Sequence, residues 1–200
     1  MYIILLGAPG SGKGTQAEKL AKHLDIPHIS TGEIMRGNPD PKIQAILSAG
    51  KLVSDEQMIE IVLNRLKTET NGWILDGFPR TIAQAEALKS YPAKVLYFKI
   101  DDQIVKKRLS LRRSCAKCKA IYHLESKPPV SDSLCDICGG PLIQRSDDLA
   151  EIVKERLEVY HEKTAPLVEH YRKDGSLLEI PSSGSPEETF SMITKLINVI

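Results

Sequence analysis

The stretch that decides the fold is Tyr2-Ile3-Ile4-Leu5-Leu6, followed without a break by Gly7-Ala8-Pro9-Gly10-Ser11-Gly12-Lys13-Gly14-Thr15. A short apolar strand running into a glycine-rich turn that ends in lysine is the pattern of a phosphate loop. Glycines let such a loop curl until its backbone N–H groups point inward, where they form a nest for phosphate oxygens at the start of the next helix. Lys13 adds a mobile point charge suited to β and γ phosphates. A chance glycine-rich turn would need the strand before it and the helix after it to be coincidences as well. The position after the lysine is Gly14, and the first hydroxyl comes at Thr15. A direct hydroxyl ligand to Mg²⁺ from this loop is therefore not expected.

Outward from the loop, Ala17, Leu20, Ala21 and Leu24 recur at helical spacing, and Ile26 to Ser30 then reads as a short strand, which closes a β-α-β unit. Pro39 and Pro41 flank a loop before a short helix carrying Ile43, Ile46 and Leu47. Ser54 with Gln57 forms a capping box for a longer helix bearing Met58, Ile61, Val62 and Leu66. Trp73-Ile74-Leu75 is strand-like and ends at Asp76; Lys94 to Ile100 is a further buried strand, and Asp101 caps a helix that should run to about Arg113. Leu177 to Ile180 gives a last strand, and a final helix from about Pro186 to Val199 packs through Phe190, Ile193, Leu196 and Ile197. Strands alternating with helices predict a three-layer α/β core with a parallel sheet, whose ligands bind at the carboxyl ends of the strands.

Composition limits what surrounds this core. A chain of 200 residues with 42% hydrophobic content buries one substantial core and leaves room for small inserts, hardly for a second full domain. The 27 basic residues nearly balance 26 acidic ones, so no overall field draws the chain to nucleic acid or membrane, and any anion site must be local. No stretch approaches the roughly 18 apolar residues of a membrane span, and the N-terminus lacks a secretory pattern. A cytoplasmic protein is expected.

The four cysteines come as two knuckles, Cys115-Ala116-Lys117-Cys118 and Cys135-Asp136-Ile137-Cys138. This is zinc-site spacing: each knuckle offers two thiolates, and two knuckles together complete a closed tetrahedral shell of structural type. Two disulfides or four free thiols are the competing readings; a reducing cytosol disfavours the first and the paired spacing the second. Arg108 and Arg112 stand four apart, on one face of the helix expected there. Arg145 and Arg156 lie three turns apart if the segment between them is helical, with Glu151 and Glu155 as plausible partners. Singly, each reads as a solvated surface arginine. Together they flank the cysteine insert, as hinges would flank a flap that closes over phosphates and excludes water.

Further segments carry a family resemblance. Ser30-Thr31-Gly32 with Arg36, Gly50 to Glu56, Asp76-Gly77-Phe78-Pro79-Arg80-Thr81 with Gln84, and Tyr160-His161 through Thr164-Ala165-Pro166-Leu167 together resemble adenylate kinase, as does the phosphate loop with its Gly14. The likeness covers nearly the whole chain in order and is greatest to bacterial members with a long zinc-bearing lid. It implies the nucleoside monophosphate kinase fold: a three-layer P-loop core with a five-stranded parallel sheet (residues 1–29, 54–110 and 149–200), an AMP-binding helical insert (30–53) and a zinc-binding lid (111–148).

The resemblance also allots roles. It implies that Gly10, Ser11, Gly12, Lys13, Gly14 and Thr15 cradle ATP phosphates, that Arg108 and Arg112 contact ATP, and that Ile121, Tyr122 and the loop around Gly184 meet it from the lid and C-terminal sides. Thr31, Arg36, Lys51, Leu52, Val53, Gly77, Phe78, Pro79, Arg80 and Gln84 would hold AMP, with the Gln84 amide reading the base edge. Arg145 and Arg156 would also reach AMP and, with Lys13, Arg80 and Arg112, would surround the transferring phosphoryl group. Asp76 would orient water on Mg²⁺, and Cys115, Cys118, Cys135 and Cys138 would hold structural zinc. The implied activity is reversible Mg²⁺-dependent phosphoryl transfer from ATP to AMP, giving ADP, by a monomer with no nucleic-acid or membrane partner. Two departures stand out: the segment from Arg36 to Gly50 is several residues shorter than in the members it most resembles, and Pro181 to Pro186 offers no long polar side chain to adenine. A kinase for UMP or CMP is the alternative within the class. A P-loop ATPase switch whose zinc module binds nucleic acid is the alternative outside it, though the insert holds acidic residues and a single aromatic, Tyr122.

Overall fold

The structure is a computed structural model and describes residues 1–198. In chain order its elements are β1 (Tyr2–Gly7), α1 (Lys13–Leu24), β2 (His28–Ser30), α2 (Thr31–Arg36), α3 (Pro41–Ser48), α4 (Asp55–Leu66), β3 (Trp73–Asp76), α5 (Ile82–Ala87), β4 (Lys94–Lys99) and α6 (Asp102–Leu111). There follow β5 (Arg112–Cys115), β6 (Ile121–His123), β7 (Leu142–Ile143), α7 (Ala150–Val159), α8 (Pro166–Asp174), β8 (Leu177–Pro181) and α9 (Pro186–Asn198). The last helix of the sequence reading is thus present, and its Val199 lies outside the described residues.

Five strands form one parallel sheet in the order β2-β3-β1-β4-β8, as the alternating pattern predicts. The phosphate-loop strand β1 lies at its centre, which explains its uninterrupted apolar run: a parallel strand covered on both faces has no polar side. Side-chain alternation then divides β1 between two cores. Ile4 and Leu6 join Val62, Trp73, Phe78 and Leu167 on one face, whereas Ile3 and Leu5 join Leu20, Phe98, Ile180 and Ile193 on the other. Complete burial of each such Leu or Ile contributes about 1.5–3 kcal/mol. The second sheet, β6-β5-β7, is antiparallel and small, with only Cys115, Tyr122 and Cys135 buried in its cluster.

Helix ends follow the capping chemistry. Ser54 accepts from the Gln57 backbone N–H (3.4 Å), Thr81 caps α5, and Asp101 accepts from Gln103 N–H at 2.7 Å. Two expectations need correction. Helix α6 stops at Leu111, not near Arg113: Arg112 is extended (φ −70°, ψ 139°) and pairs with His123, so strand pairing displaces the last helical turn and Arg112 does not share a helix face with Arg108. Nor is the span from Arg145 to Arg156 one helix, because a 3₁₀ turn at Ser146–Asp148 and an extended Leu149 precede α7.

A π-helical turn at Tyr160–Thr164, which periodicity does not predict, is closed by Ala165 N–H on the Tyr160 carbonyl (2.8 Å). Pro166 explains it: proline cannot donate, and its ring crowds the carbonyl four residues back, so the helix takes in one extra residue before continuing as α8. Gly72 is required for a different reason. Its φ is +115°, and a Cβ there would fall 2.2 Å from the Met1 carbonyl oxygen, which accepts from Trp73 N–H at 3.0 Å. Gly72→Ala is expected to lose about 2 kcal/mol or more in urea denaturation, through clash and a disallowed φ, while the folded fraction keeps normal nucleotide affinity.

Candidate active site

A cleft of about 630 Å³ opens at the carboxyl ends of β1 and β3. The phosphate loop forms its floor. Gly10 has φ +75°, and a Cβ there would meet Leu109 at 2.8 Å, so the loop closes tightly against α6 only with glycine. Helix α1 begins at Lys13 behind Gly12, with no side-chain cap and no acidic residue in its first turn. Its N-terminus thus faces the cleft as a ready anion site, with donors that no side chain satisfies. Lys13 Nζ arches over the loop to the carbonyls of Gly7 and Ala8, each 2.7 Å away, and to Ser11 Oγ at 3.3 Å.

The cations predicted from the sequence meet here: Lys13, Arg36, Arg80, Arg108, Arg112, Arg145 and Arg156 all line this cleft. Several are held by backbone or hydroxyl oxygens, Arg80 Nε by the Gly77 carbonyl (2.8 Å) and Arg145 Nε by Ser114 Oγ (2.8 Å). Glu151 and Glu155 are not the partners of the last arginines; both are exposed, and the acidic pair is Asp147 and Asp148. The Asp148 side chain is 0% exposed and accepts from Arg112 Nε at 2.7 Å, from Arg112 Nη2, and from Arg156 Nη1 at 3.1 Å. Arg156 also pairs with Asp147 at 3.2 Å. The acidic doublet just after Arg145 was the available signal, yet without a helix between Arg145 and Arg156 the spacing pointed to the wrong carboxylates.

Burial and mutual repulsion leave this charge poorly compensated. Desolvation, outweighing the attraction of Asp76 and aided by Arg80 and Arg156, brings Lys13 from 10.5 down to about 8. Desolvation and Arg156 lower Arg80 to about 10, and desolvation and Arg112 do the same to Arg145. Burial alone would raise the Asp76 carboxyl, but His28 and the charge of Lys13 hold it below its ordinary value. His28 Nε2 stands 3.7 Å from Asp76 Oδ2, too far for a hydrogen bond, and has no other partner among the described residues. A Cβ on Gly14 would sit 3.5 Å from Asp76 Oδ2, so the bare glycine keeps space open beside that carboxylate.

The remaining predicted residues divide between this cleft and a smaller adjoining cavity of about 40 Å³. Thr31, Val53 and Gln84 line the smaller one; Lys51, Leu52, Gly77 and Arg80 border both, and Pro79 faces the larger. Phe78 does not line either and is core, with 0% exposure. On the opposite side, Arg108 Nη2 donates to the carbonyls of Ser183 (3.2 Å) and Gly184 (3.0 Å), which ties the loop before α9 to α6. Ile121 and Tyr122 reach the cleft from the small sheet, and the Tyr122 hydroxyl is occupied, accepting from Asp136 N–H at 2.9 Å beside Cys135 Sγ. The four cysteine Sγ atoms lie within 4.8 Å of one another and could hold a metal ion; they are the one such group found among the described residues. The soft, all-thiolate donor set suits a thiophilic ion and not Mg²⁺.

With this geometry in place, comparison with known proteins is decisive. Residues 5–176 match the family model for adenylate kinase. The chain belongs to the adenylate kinase family. An adenylate kinase of Caldicellulosiruptor saccharolyticus is 46% identical over the full length of both chains, one of Caldicellulosiruptor bescii is 45% identical over the same extent, and one of Clostridium tetani is 42% identical, also over all of both. The alignment to the first spans 214 positions against 200 residues here, so it opens gaps in this chain. Its helices α2 and α3 are joined by only Gly37 to Asp40, and Gln44 Nε2 ties the join together by donating to the carbonyls of Met35 (3.0 Å) and Asn38 (2.6 Å). Asp148→Asn is expected to cost about 2–4 kcal/mol in chemical denaturation, because it removes the buried charge that two arginines share. Added polyphosphate should restore part of that loss by supplying the missing negative charge.

Proposed function

We propose that this chain catalyses reversible transfer of the γ-phosphoryl group of ATP to AMP, giving two ADP, as a cytoplasmic monomer that helps to balance adenine nucleotides. One observation carries the reading: Lys13, Arg80, Arg112, Arg145 and Arg156 converge on a single cleft that joins a phosphate loop to a second, smaller cavity. Two nucleotides facing each other there would place donor and acceptor phosphates among these five cations. Phosphoryl transfer through a metaphosphate-like transition state asks for alignment and charge neutralisation more than for covalent help. No general base is needed, because the acceptor phosphate is already ionised near neutral pH.

In this reading Gly10 to Thr15 hold the donor phosphates, while Arg108, Arg112, Ile121, Tyr122 and Gly184 bind the rest of ATP. Thr31, Arg36, Lys51 to Val53, Gly77 to Arg80 and Gln84 bind AMP, with Phe78 acting through the core. Magnesium arriving with ATP would supply charge neutralisation on the polyphosphate. Asp76, held ionised and with open space beside Gly14, would orient its water, and both features support that reading. Residues 1–29, 54–110 and 149–200 act as the core, 30–53 as the AMP-side insert and 111–148 as the lid, stiffened by zinc on Cys115, Cys118, Cys135 and Cys138. No helix is long and apolar enough to cross a membrane among the described residues.

The decisive assay measures ADP formation from Mg²⁺-ATP with AMP, CMP, UMP or GMP as acceptor, beside an acceptor-free control. Turnover with AMP alone is expected. Preference for UMP or CMP would reassign the acceptor, and hydrolysis without an acceptor would favour the ATPase switch. Lys13→Met should lower kcat by far more than the tenfold that about 1.4 kcal/mol represents.

The lowered pKa of Lys13 also gives a pH signature. Below about pH 8 the lysine is charged in both folded and unfolded chains; between about 8 and 10.5 only the unfolded chain keeps the proton. In that window Lys13's contribution to stability rises with pH, while kcat/KM for ATP falls, and the two trends should be read from denaturation and initial rates. Chelation of the lid metal is expected to lower Tm more than it lowers activity at low temperature, with metal analysis returning about one zinc per chain.

A further inference from the structure

Gln84 is 2% exposed, yet it lines the smaller cavity, and both ends of its amide are engaged behind that surface. Its Oε1 accepts from the Arg80 backbone N–H at 2.8 Å, and its Nε2 donates to Asp55 Oδ1 at 2.7 Å. The other Asp55 oxygen, Oδ2, accepts from Thr81 Oγ1 at 3.0 Å, and the same Thr81 hydroxyl caps α5 by accepting from the Gln84 backbone N–H at 3.3 Å. Asp55 opens α4, so this carboxylate ties the start of one helix to the start of the next.

These partners determine which end of the amide is which. A backbone N–H can only donate, so the atom facing Arg80 must be oxygen; a carboxylate accepts, so the atom facing Asp55 must be nitrogen. Turning the amide over would set N–H against N–H at Arg80 and oxygen against oxygen at Asp55. Both contacts would be repulsive in a site that water barely reaches. Counting capacity, one Oε1 lone pair and one Nε2 hydrogen stay uncommitted. The side chain thus offers the cavity one acceptor and one donor, in an order that cannot be exchanged.

Purines differ in that order. A 6-aminopurine presents an N6–H donor beside the N1 acceptor, whereas a 6-oxopurine presents an O6 acceptor beside an N1–H donor. A freely turning glutamine could read either. We propose that Asp55 is a positioning residue for acceptor choice: by fixing the Gln84 amide, it makes the smaller cavity select a 6-aminopurine nucleotide and reject its 6-oxo counterpart. The proposal rests on the reading of that cavity as the acceptor-base site. Asp55 lines neither cavity, and although it falls in the segment Gly50 to Glu56 that carries the resemblance, no role was allotted to it.

The test compares AMP with IMP, which differ only in the 6-amino group with its N1 acceptor against the 6-oxo group with its N1–H donor, using the full-length chain and saturating Mg²⁺-ATP. The readout is the ratio of kcat/KM for the two acceptors, which does not depend on the fraction of enzyme that is folded. Asp55→Ala is expected to narrow that ratio by about tenfold or more, mainly through acceptor KM, with KM for ATP within about twofold of the parent. Asp55→Asn, which keeps one oxygen for Gln84, should give a ratio between the two and covers the case in which the alanine variant fails to fold. Strong AMP preference in the parent, with the ratio unmoved in either variant, overturns the lock alone. A parent chain that does not prefer AMP overturns both the lock and the acceptor reading beneath it.

Discussion

Burial lowers the pKa of Lys13, Arg80, Arg145 and Arg156, and neighbouring arginines lower each of them further, Arg80 and Arg156 acting on Lys13, Arg156 on Arg80, and Arg112 on both Arg145 and Arg156. Charge gathered in this way is unfavourable in the empty cleft, and only part of it is offset by Asp76, Asp147 and Asp148. What offsets the rest is a polyanion. The loop carbonyls that steady Lys13 and the Asp148 bridge between Arg112 and Arg156 hold cations where they would otherwise spread apart, and the free N–H donors at the start of α1 add to the same positive potential. Binding energy from a phosphate chain can then be used to complete an arrangement that is already aimed.

The rigid sheet makes this arrangement affordable. Strand β1 is packed on both faces and flanked by strands on both edges, so the loop it delivers has little freedom to relax away from the strain of crowded charge. The elements around the cleft are lighter. The insert formed by α2 and α3 is short and braced by Gln44, and the small sheet has only a few buried side chains to itself. Stiffness is concentrated where the transferring group would lie, and the flanking parts are free to adapt.

Much of this was legible in the chain. The phosphate loop, the five strands and the cysteine knuckles are local patterns, set by glycine geometry, by two-faced burial and by thiol spacing. Most of the site residues carried over from the family resemblance do gather at the two cavities. What the sequence hid were contacts between segments. Arg112 reads as helical from propensity, yet pairing with His123 draws it into a strand. The carboxylates beside Arg156 were misassigned because its true partner, Asp148, reaches it only through a 3₁₀ turn. Phe78 sits in a site motif but faces the core, and Asp55 sits in another without signalling that it touches Gln84. Side-chain partners across segments depend on tertiary placement, which periodicity cannot report.

Helix α6 passes into β5 with no linker, so Arg112 is both the joint between the core and the small sheet and a lining residue of the cleft. Arg145 is fastened to the same strand through Ser114. Any outward swing of that sheet must turn the backbone at Arg112 and pull on Arg145. Opening and dispersal of charge are therefore coupled: a swing that widens the cleft also carries Arg112 and Arg145 away from the cations that stay with the core.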